Sequence, residues 1–342
     1  MRIFESKIWR FCAWPFSLVF HTASFFRNKF YDWGIFKSYR LNTKIISVGN
    51  ISVGGTGKTP VIMALAEYLQ SNGKTVAVLS RGYARRSRGI VVVSEGNGPV
   101  CGVEQAGDEP FLIASLFPQI PVVVAEDRVA GGRKISSRFN SEVILLDDGF
   151  QHRKLQRDLE IVLLDSRRFL QNRSLLPAGP YREGAKALKR ASAIFLVGQE
   201  AHNSRVMKKL RNNVNCHIDT VDISSKRVWL PGSALYESIE LLRGKKIFVI
   251  SGIGQPEKLH TYLQKIGCTI IAFRHFKDHH VYKEYEITKA VAEFHAIGAQ
   301  ILVTTWKDWV KIQSFEALTK IKVCIPEHKA HLDLKFLRSM IV

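Results

Sequence analysis

The chain has 342 residues, a formal charge of +20 and an apolar share of 46%; this suits a folded protein of one large or two ordinary domains and excludes an intrinsically disordered one. Such a basic excess implies polyanionic neighbours: nucleic acid, acidic lipid or phosphorylated substrate. The five cysteines, Cys12, Cys101, Cys216, Cys268 and Cys324, are odd in number, far apart and lack a CxxC pair, which argues against a disulfide framework or a zinc site and fits a reducing compartment.

Residues 1–40 read as an amphipathic, membrane-associated helical segment. The run FCAWPFSLVFHTASFF between Arg10 and Arg27 carries no formal charge, yet as a helix it spans about 24 Å, short of the ~30 Å hydrocarbon core. Pro15 and the lack of a small-residue cleavage site argue that it is retained rather than removed as a signal peptide. Phe4, Trp9, Phe11, Trp14, Phe16 and later aromatics interleave with Arg2, Lys7, Arg10, Arg27 and Lys29. Aromatic rings settle at the headgroup boundary while basic groups meet lipid phosphates, so one helix, or two broken near Pro15, is expected in a single leaflet. The competing reading is a helix packed on the protein's own core.

From Lys44 onward, KIISVGN, TVAVLS, PVVVAED, EVILLDD, LEIVLLD and SAIFLVG alternate with helical stretches. That rhythm predicts an α/β fold with a mostly parallel sheet flanked by helices and its ligand edge at the strands' carboxyl ends. A first domain is expected over 41–228. After VWLPGSAL, where Pro231 and Gly232 punctuate the chain, KKIFVISG, TIIAFRHF and AQILVTT repeat the alternation on a smaller scale, predicting a second α/β domain over 229–342.

KIISVGN leads into ISVGGTGKTP and then a helical run, the strand, loop and helix context of a phosphate-binding P-loop NTPase site. The expected nucleotide cradle is Ser52, Val53, Gly54, Gly55, Thr56, Gly57, Lys58 and Thr59. Lys58 reaches the β and γ phosphates of ATP and offsets charge in transfer, while Thr59 offers its hydroxyl to Mg2+. Ser52 stands where the common pattern has its first Gly. Dimeric partitioning ATPases carry a Lys where this chain has Val53, which argues against their mechanism.

VILLDD delivers Asp147 and Asp148 to the same sheet edge as metal-holding carboxylates. IVLLD, ending in Asp165, has the same form; the paired aspartates are preferred because the polar run GFQHR follows them. AGDEP offers Asp108 and Glu109, with Asp108 the chosen acceptor of a hydroxyl proton, or equally an N-cap for PFLIASLF. FKDHHVY brings Asp278, His279 and His280 in a loop; spacing alone favours plain exposed histidines over catalytic ones. For an anionic substrate, Arg81, Tyr83, Arg128 and His152 stand just beyond strand ends; Arg85 to Arg88 read as a solvated charge run.

In order, VGNISVGGTGKTP, SRGYARR, GDEP, AEDR, DDGFQHR, LLPAGPYRE, FKDHH and TTWKD make the chain resemble the tetraacyldisaccharide 4′-kinases of lipid A biosynthesis. That resemblance implies transfer of the ATP γ-phosphate to the 4′-hydroxyl of a tetraacylated glucosamine disaccharide 1-phosphate. It implies Asp108 as base with His279 as orienting partner across a domain cleft, Asp147 and Asp148 serving Mg2+, and Tyr83, Arg128 and His152 on substrate. It also implies a peripheral or monotopic protein at the cytoplasmic face of a Gram-negative inner membrane, with an anionic glycolipid as partner; no nucleic acid is expected, because the basic charge carries no accompanying recognition motif, and no obligate protein partner is evident. The chain departs from the family at Trp306, where an acid is usual, and at Tyr181 and Gly184, where Leu and Pro are. A membrane-associated P-loop ATPase acting as a switch or assembly factor is the rival reading; a GTPase is disfavoured because no NKxD segment occurs.

Overall fold

The computed structural model describes residues 4, 6–171, 174–198 and 202–337. Helix α1 (Lys7–Asp32) begins at Ser6, whose hydroxyl caps the first turn, and runs unbroken through Pro15. Of the two expected forms, one helix or two broken near Pro15, the single helix is the one found.

In chain order there follow β1 (Lys44–Asn50), α2 (Lys58–Ser71), β2 (Val76–Ser80), β3 (Val91–Glu95), α3 (Val103–Ala106), α4 (Asp108–Leu116), β4 (Pro121–Val124), α5 (Arg128–Arg138), β5 (Val143–Asp147), β6 (Leu159–Asp165), α6 (Ser166–Gln171), β7 (Ala193–Val197), α7 (Ser204–Arg211) and β8 (His217–Ser224). The strands form a sheet of order β8-β7-β6-β1-β5-β2-β4-β3, parallel except for edge strand β3. Its central strands read as continuous Val, Ile and Leu runs because helices cover both faces, and Ile46, Val48, Leu145, Ile161 and Leu163 are buried in the core cluster shared with α2.

A second sheet follows. It comprises β9 (Arg227–Leu230), β10 (Leu235–Ser238), β11 (Lys246–Ser251), β12 (Thr269–His275), β13 (Ile301–Val303) and β14 (Val323–Pro326), with α8 (Pro256–Ile266), α9 (Glu284–Ala296) and α10 (Trp306–Ile312) packed on it. Its order is β10-β9-β14-β13-β11-β12. The chain does not stay there. Strand β15 (Lys329–His331) crosses back and pairs antiparallel with β8, and Leu332, Leu334, Phe336 and Leu337 join the large sheet's core. A continuous second unit over 229–342 is therefore corrected: 329–337 belong with the first sheet, and 338–342 lie outside the described residues. The physical reason is burial, since these apolar side chains close the open face between α2 and β8.

Helix α1 packs through one narrow face. Buried Ser17 donates to the Leu175 carbonyl (3.0 Å), Trp9 Nε1 to Pro177 (3.0 Å), and Asn28 to Glu183 (2.8 Å). The other face carries Ile8, Phe11, Trp14, Phe16, Leu18, Val19, Phe25 and Phe26 exposed, Phe11 by 84%. Most exposed large hydrophobics among the described residues fall between 8 and 39. The reading of a helix packed on the protein's own core holds for the narrow docked face, while the apolar stripe is turned outward. Among the described residues no helix is long and apolar enough to cross a membrane.

Candidate active site

The phosphate-binding loop leaves β1 at Asn50 and enters α2 at Lys58. Its first part is strand-like: the Val53 N–H donates to Pro180 (2.8 Å), the Arg182 N–H to Ile51 (2.8 Å), and Ser52 bridges Tyr181. The Val53 amide, within the cradle expected over Ser52 to Thr59, is thus already committed. Gly57 has φ +82°, a torsion that strains any side chain, and a Cβ on it would lie 2.0 Å from Ile223 Cδ1, so Ile223 would have to shift as well. Asn50 Nδ2 donates to Thr56 Oγ1 (2.9 Å) and pins the loop, whose Lys58 and Thr59 form the amide-rich first turn of α2.

Strand β5 lies beside β1, with Asp147 opposite Val48. Asp147 Oδ2 accepts from Ser80 Oγ (2.9 Å), and Oδ1 is buried without a hydrogen-bond partner. Burial, reinforced by the charge of Glu109, pushes its pKa up to about 7. Asp148, at φ +50°, pairs with Lys58 Nζ (3.4 Å) and Arg182 Nη1 (2.9 Å). Burial raises its pKa, but these two cations outweigh burial and hold it below the ordinary carboxylate value. The donors fit Mg2+: Asp147, Asp148 and Thr59 offer hard oxygens, the buried Oδ1 has lone pairs available, and Mg2+ takes one or two carboxylates and completes its shell with water and phosphate. Asp165 is occupied locally, accepting from the Arg168 N–H (3.0 Å) at the start of α6.

Asp108 opens α4, but Gly107 takes the N-cap place. Its carboxylate instead meets the second unit: Oδ2 accepts from His279 Nδ1 (3.0 Å) and lies 2.6 Å from Lys311 Nζ. Burial raises the Asp108 pKa; His279 and Lys311 together override it and leave it lowered. The Asp108 hydrogen bond in turn raises that of His279. His280 bonds Glu286 (3.0 Å), so His279 alone of the adjacent pair faces Asp108. The Tyr83 ring packs 5.2 Å from that of His279 and is otherwise exposed.

Arg128 starts α5, buried, with Nη1 donating to the Glu126 carbonyl (2.9 Å). Burial and nearby Arg81 lower its pKa, while Asp148 and Asp147 oppose them; Arg81 itself is exposed. Burial, then Arg128 and Arg157, push the pKa of His152 down to about 4, so it is neutral at physiological pH and can offer a substrate a hydrogen bond but no positive charge. Arg85 also leaves the expected solvated run: its side chain is 3% exposed and pairs with Glu126 at 2.6 Å.

Arg182, Lys307 and Lys311 were not picked out from sequence. Arg182 lies within LLPAGPYRE, and Lys307, which ion-pairs Glu109, within TTWKD. Lys311 follows Lys307 by four residues, the spacing that puts two side chains on one helix face. Trp306 packs its ring 6.2 Å from Trp229, away from these charges.

The family model described as tetraacyldisaccharide-1-P 4′-kinase, LpxK, matches residues 9–342. The tetraacyldisaccharide 4′-kinase of Syntrophus aciditrophicus is 38% identical over 322 residues, covering 89% of this chain and 84% of that protein. That of Aquifex aeolicus is 37% identical over 309 residues, covering 88% and 90%. The crystal structure of the "apo" form of LpxK from Aquifex aeolicus in complex with ATP superposes with a TM-score of 0.79 at 34% identity, covering 97% of this chain and 98% of that one.

Proposed function

Since the chain belongs to the tetraacyldisaccharide-1-P 4′-kinase family, we propose that it transfers the γ-phosphate of ATP to the 4′-hydroxyl of a tetraacylated glucosamine disaccharide 1-phosphate in lipid A biosynthesis. The observation that carries this reading is the meeting of Asp108 and His279 from two different units beside a phosphate loop and two strand-end aspartates, in a chain matched along nearly its whole length to these kinases.

The residues act as follows. The amides from Gly54 to Thr59 and the Lys58 ammonium bind the nucleotide phosphates. Asp147, Asp148 and Thr59 hold Mg2+, which when bound neutralises charge on the phosphates. Asp108 accepts the proton of the sugar hydroxyl, His279 orients its carboxylate, and Arg128 with Tyr83 and His152 receive the substrate. Arg182 fixes Asp148. Catalysis is then mostly positioning and electrostatics, as expected for a loose phosphoryl transition state. The exposed stripe of α1 supports a peripheral or monotopic seat in the cytoplasmic leaflet of a Gram-negative inner membrane, the side on which the acyl chains of the substrate would be met.

The test of the reaction is incubation with γ-labelled Mg-ATP and the tetraacyl disaccharide 1-phosphate in detergent micelles. Label in the lipid supports the kinase reading; free phosphate without labelled lipid replaces it with a P-loop ATPase switch. The membrane contact is tested by the double variant Phe11→Asp, Phe16→Asp. Loss of two exposed aromatics is expected to weaken partitioning onto phosphatidylglycerol vesicles by roughly 100-fold, from about 1.5 kcal/mol or more per aromatic, while turnover of micellar substrate persists. Unchanged vesicle binding removes α1 from the membrane contact.

A further inference from the structure

The two carboxylate oxygens of Asp108 have different surroundings. Oδ2 takes both His279 Nδ1 at 3.0 Å and Lys311 Nζ at 2.6 Å, and no donor among the described residues reaches Oδ1. The Lys311 side chain is 8% exposed, so this is no solvated surface pair of negligible worth. Its ammonium also donates to the His280 carbonyl (3.3 Å), which ties it to the loop that carries His279.

Helix α10 is built to hold that geometry. One turn before Lys311, Lys307 ion-pairs Glu109, so adjacent acids at the start of α4 are gripped by two lysines on one face of α10. Asp308, fully buried, accepts from Tyr282 Oη (2.8 Å) and Thr305 Oγ1 (2.6 Å). Tyr282 lies three residues after His279, so the histidine loop and α10 are fastened together before either touches Asp108.

We propose that Lys311 is a positioning residue for the phosphoryl transfer: with His279 it fastens Oδ2 of Asp108, so that Oδ1 is the atom that accepts the proton of the attacking hydroxyl. This rests on the base role given above to Asp108. The hydroxyl oxygen forms its bond to the γ-phosphorus as the bond from that phosphorus to the β,γ-bridging oxygen breaks. ADP leaves with that electron pair, and the hydroxyl proton passes to Oδ1. Two donors on one oxygen stop the carboxylate turning about Cβ–Cγ and keep it ionised. The accompanying loss of basicity is tolerable because proton transfer in a loose transition state comes late. The charged and titratable groups acting on Asp108 are His279 and Tyr282 from the loop side, and Lys307 and Lys311 on α10; Asp278 lies beside His279 and Glu109 is paired with Lys307.

The experiment compares Lys311→Met and Lys311→Arg for kcat, KM and the pH profile of kcat/KM. Lys311→Met is expected to lower kcat at least about tenfold with KM for ATP within about twofold, and to move the acid limb up by about one pH unit, because removing a cation in contact with a carboxylate raises its pKa. Lys311→Arg should restore most of kcat and return the limb, and it supplies the answer by itself should the Met variant be unfolded. An unmoved limb with Met and Arg equally impaired, or an unimpaired Met variant, overturns the proposal. Asp108→Asn run beside them separates the two claims: near-normal turnover there sinks the base role, whereas the lysine variants bear on the clamp alone.

Discussion

Asp108→Asn is expected to lower kcat by about 10³-fold, within the range for loss of a positioned general base, while leaving ATP affinity within roughly twofold. The substitution keeps size and shape at the start of α4, and Asn can still accept from His279 and Lys311, so the contact between the two units survives in outline. What disappears is an oxygen able to take a proton. Nucleotide affinity is spared because the phosphate loop, Lys58 and the aspartate pair stand on β1, α2 and β5, none of which Asp108 holds in place. Measured by lipid phosphorylation at saturating substrate beside an equilibrium titration with ATP, a variant keeping more than a tenth of turnover removes Asp108 from the base role.

The same pair sets the pH behaviour. His279 and Lys311 hold the Asp108 pKa below the ordinary carboxylate value against the pull of burial, and Asp108 raises that of His279. The base is competent above the lowered value and is lost as pH falls through it, so the acid limb of kcat/KM lies on the acid side of an ordinary aspartate. His279 keeps its proton to a higher pH than a free histidine. The two titrate as a pair, and each limb belongs to both.

Local chemistry made the phosphate loop and Asp147–Asp148 legible in sequence, since glycines, a lysine and strand-end acids owe their roles to neighbours a few residues away. The meeting of Asp108 with His279, 171 residues apart, came only with the family resemblance. The return of β15 was hidden because KAH is three residues long and shows no pattern of its own; it becomes a strand only because β8 presents an open edge. At Pro15 the sequence left one helix or two open: a proline in a helix costs one hydrogen bond and crowds the preceding turn, yet α1 runs through it, docked by Trp9 and Ser17 on either side. Arg85 reads in sequence as part of a solvated charge run, whereas burial pairs it with Glu126, and burial holds the His152 pKa down. Charge state is a property of surroundings, and a sequence lists only the groups.

Lys58→Ala carries the other large expectation: kcat lower by about 10²–10³-fold, the loss typical when one preorganised charge stabiliser is removed, together with ATP affinity weakened at least about tenfold, since a hydrogen bond to a charged group is worth roughly 1.5–3 kcal/mol. Lys58 Nζ is 3.4 Å from Asp148 Oδ1, in a side chain only 13% exposed, and its charge also acts on Asp147 and Glu109. Without it, three acids face an incoming polyanion with Arg182 and Lys307 as their remaining direct cationic partners. Both binding and transfer then suffer, whereas Asp108→Asn costs transfer alone. Lys58→Arg should not restore activity, because a planar guanidinium fork cannot replace a compact ammonium at the first turn of α2. Equilibrium ATP titration and lipid phosphorylation on the same preparations separate the two components. A Lys58→Ala protein with unaltered ATP affinity would mean that the nucleotide phosphates lie elsewhere than in the loop from Gly54 to Thr59.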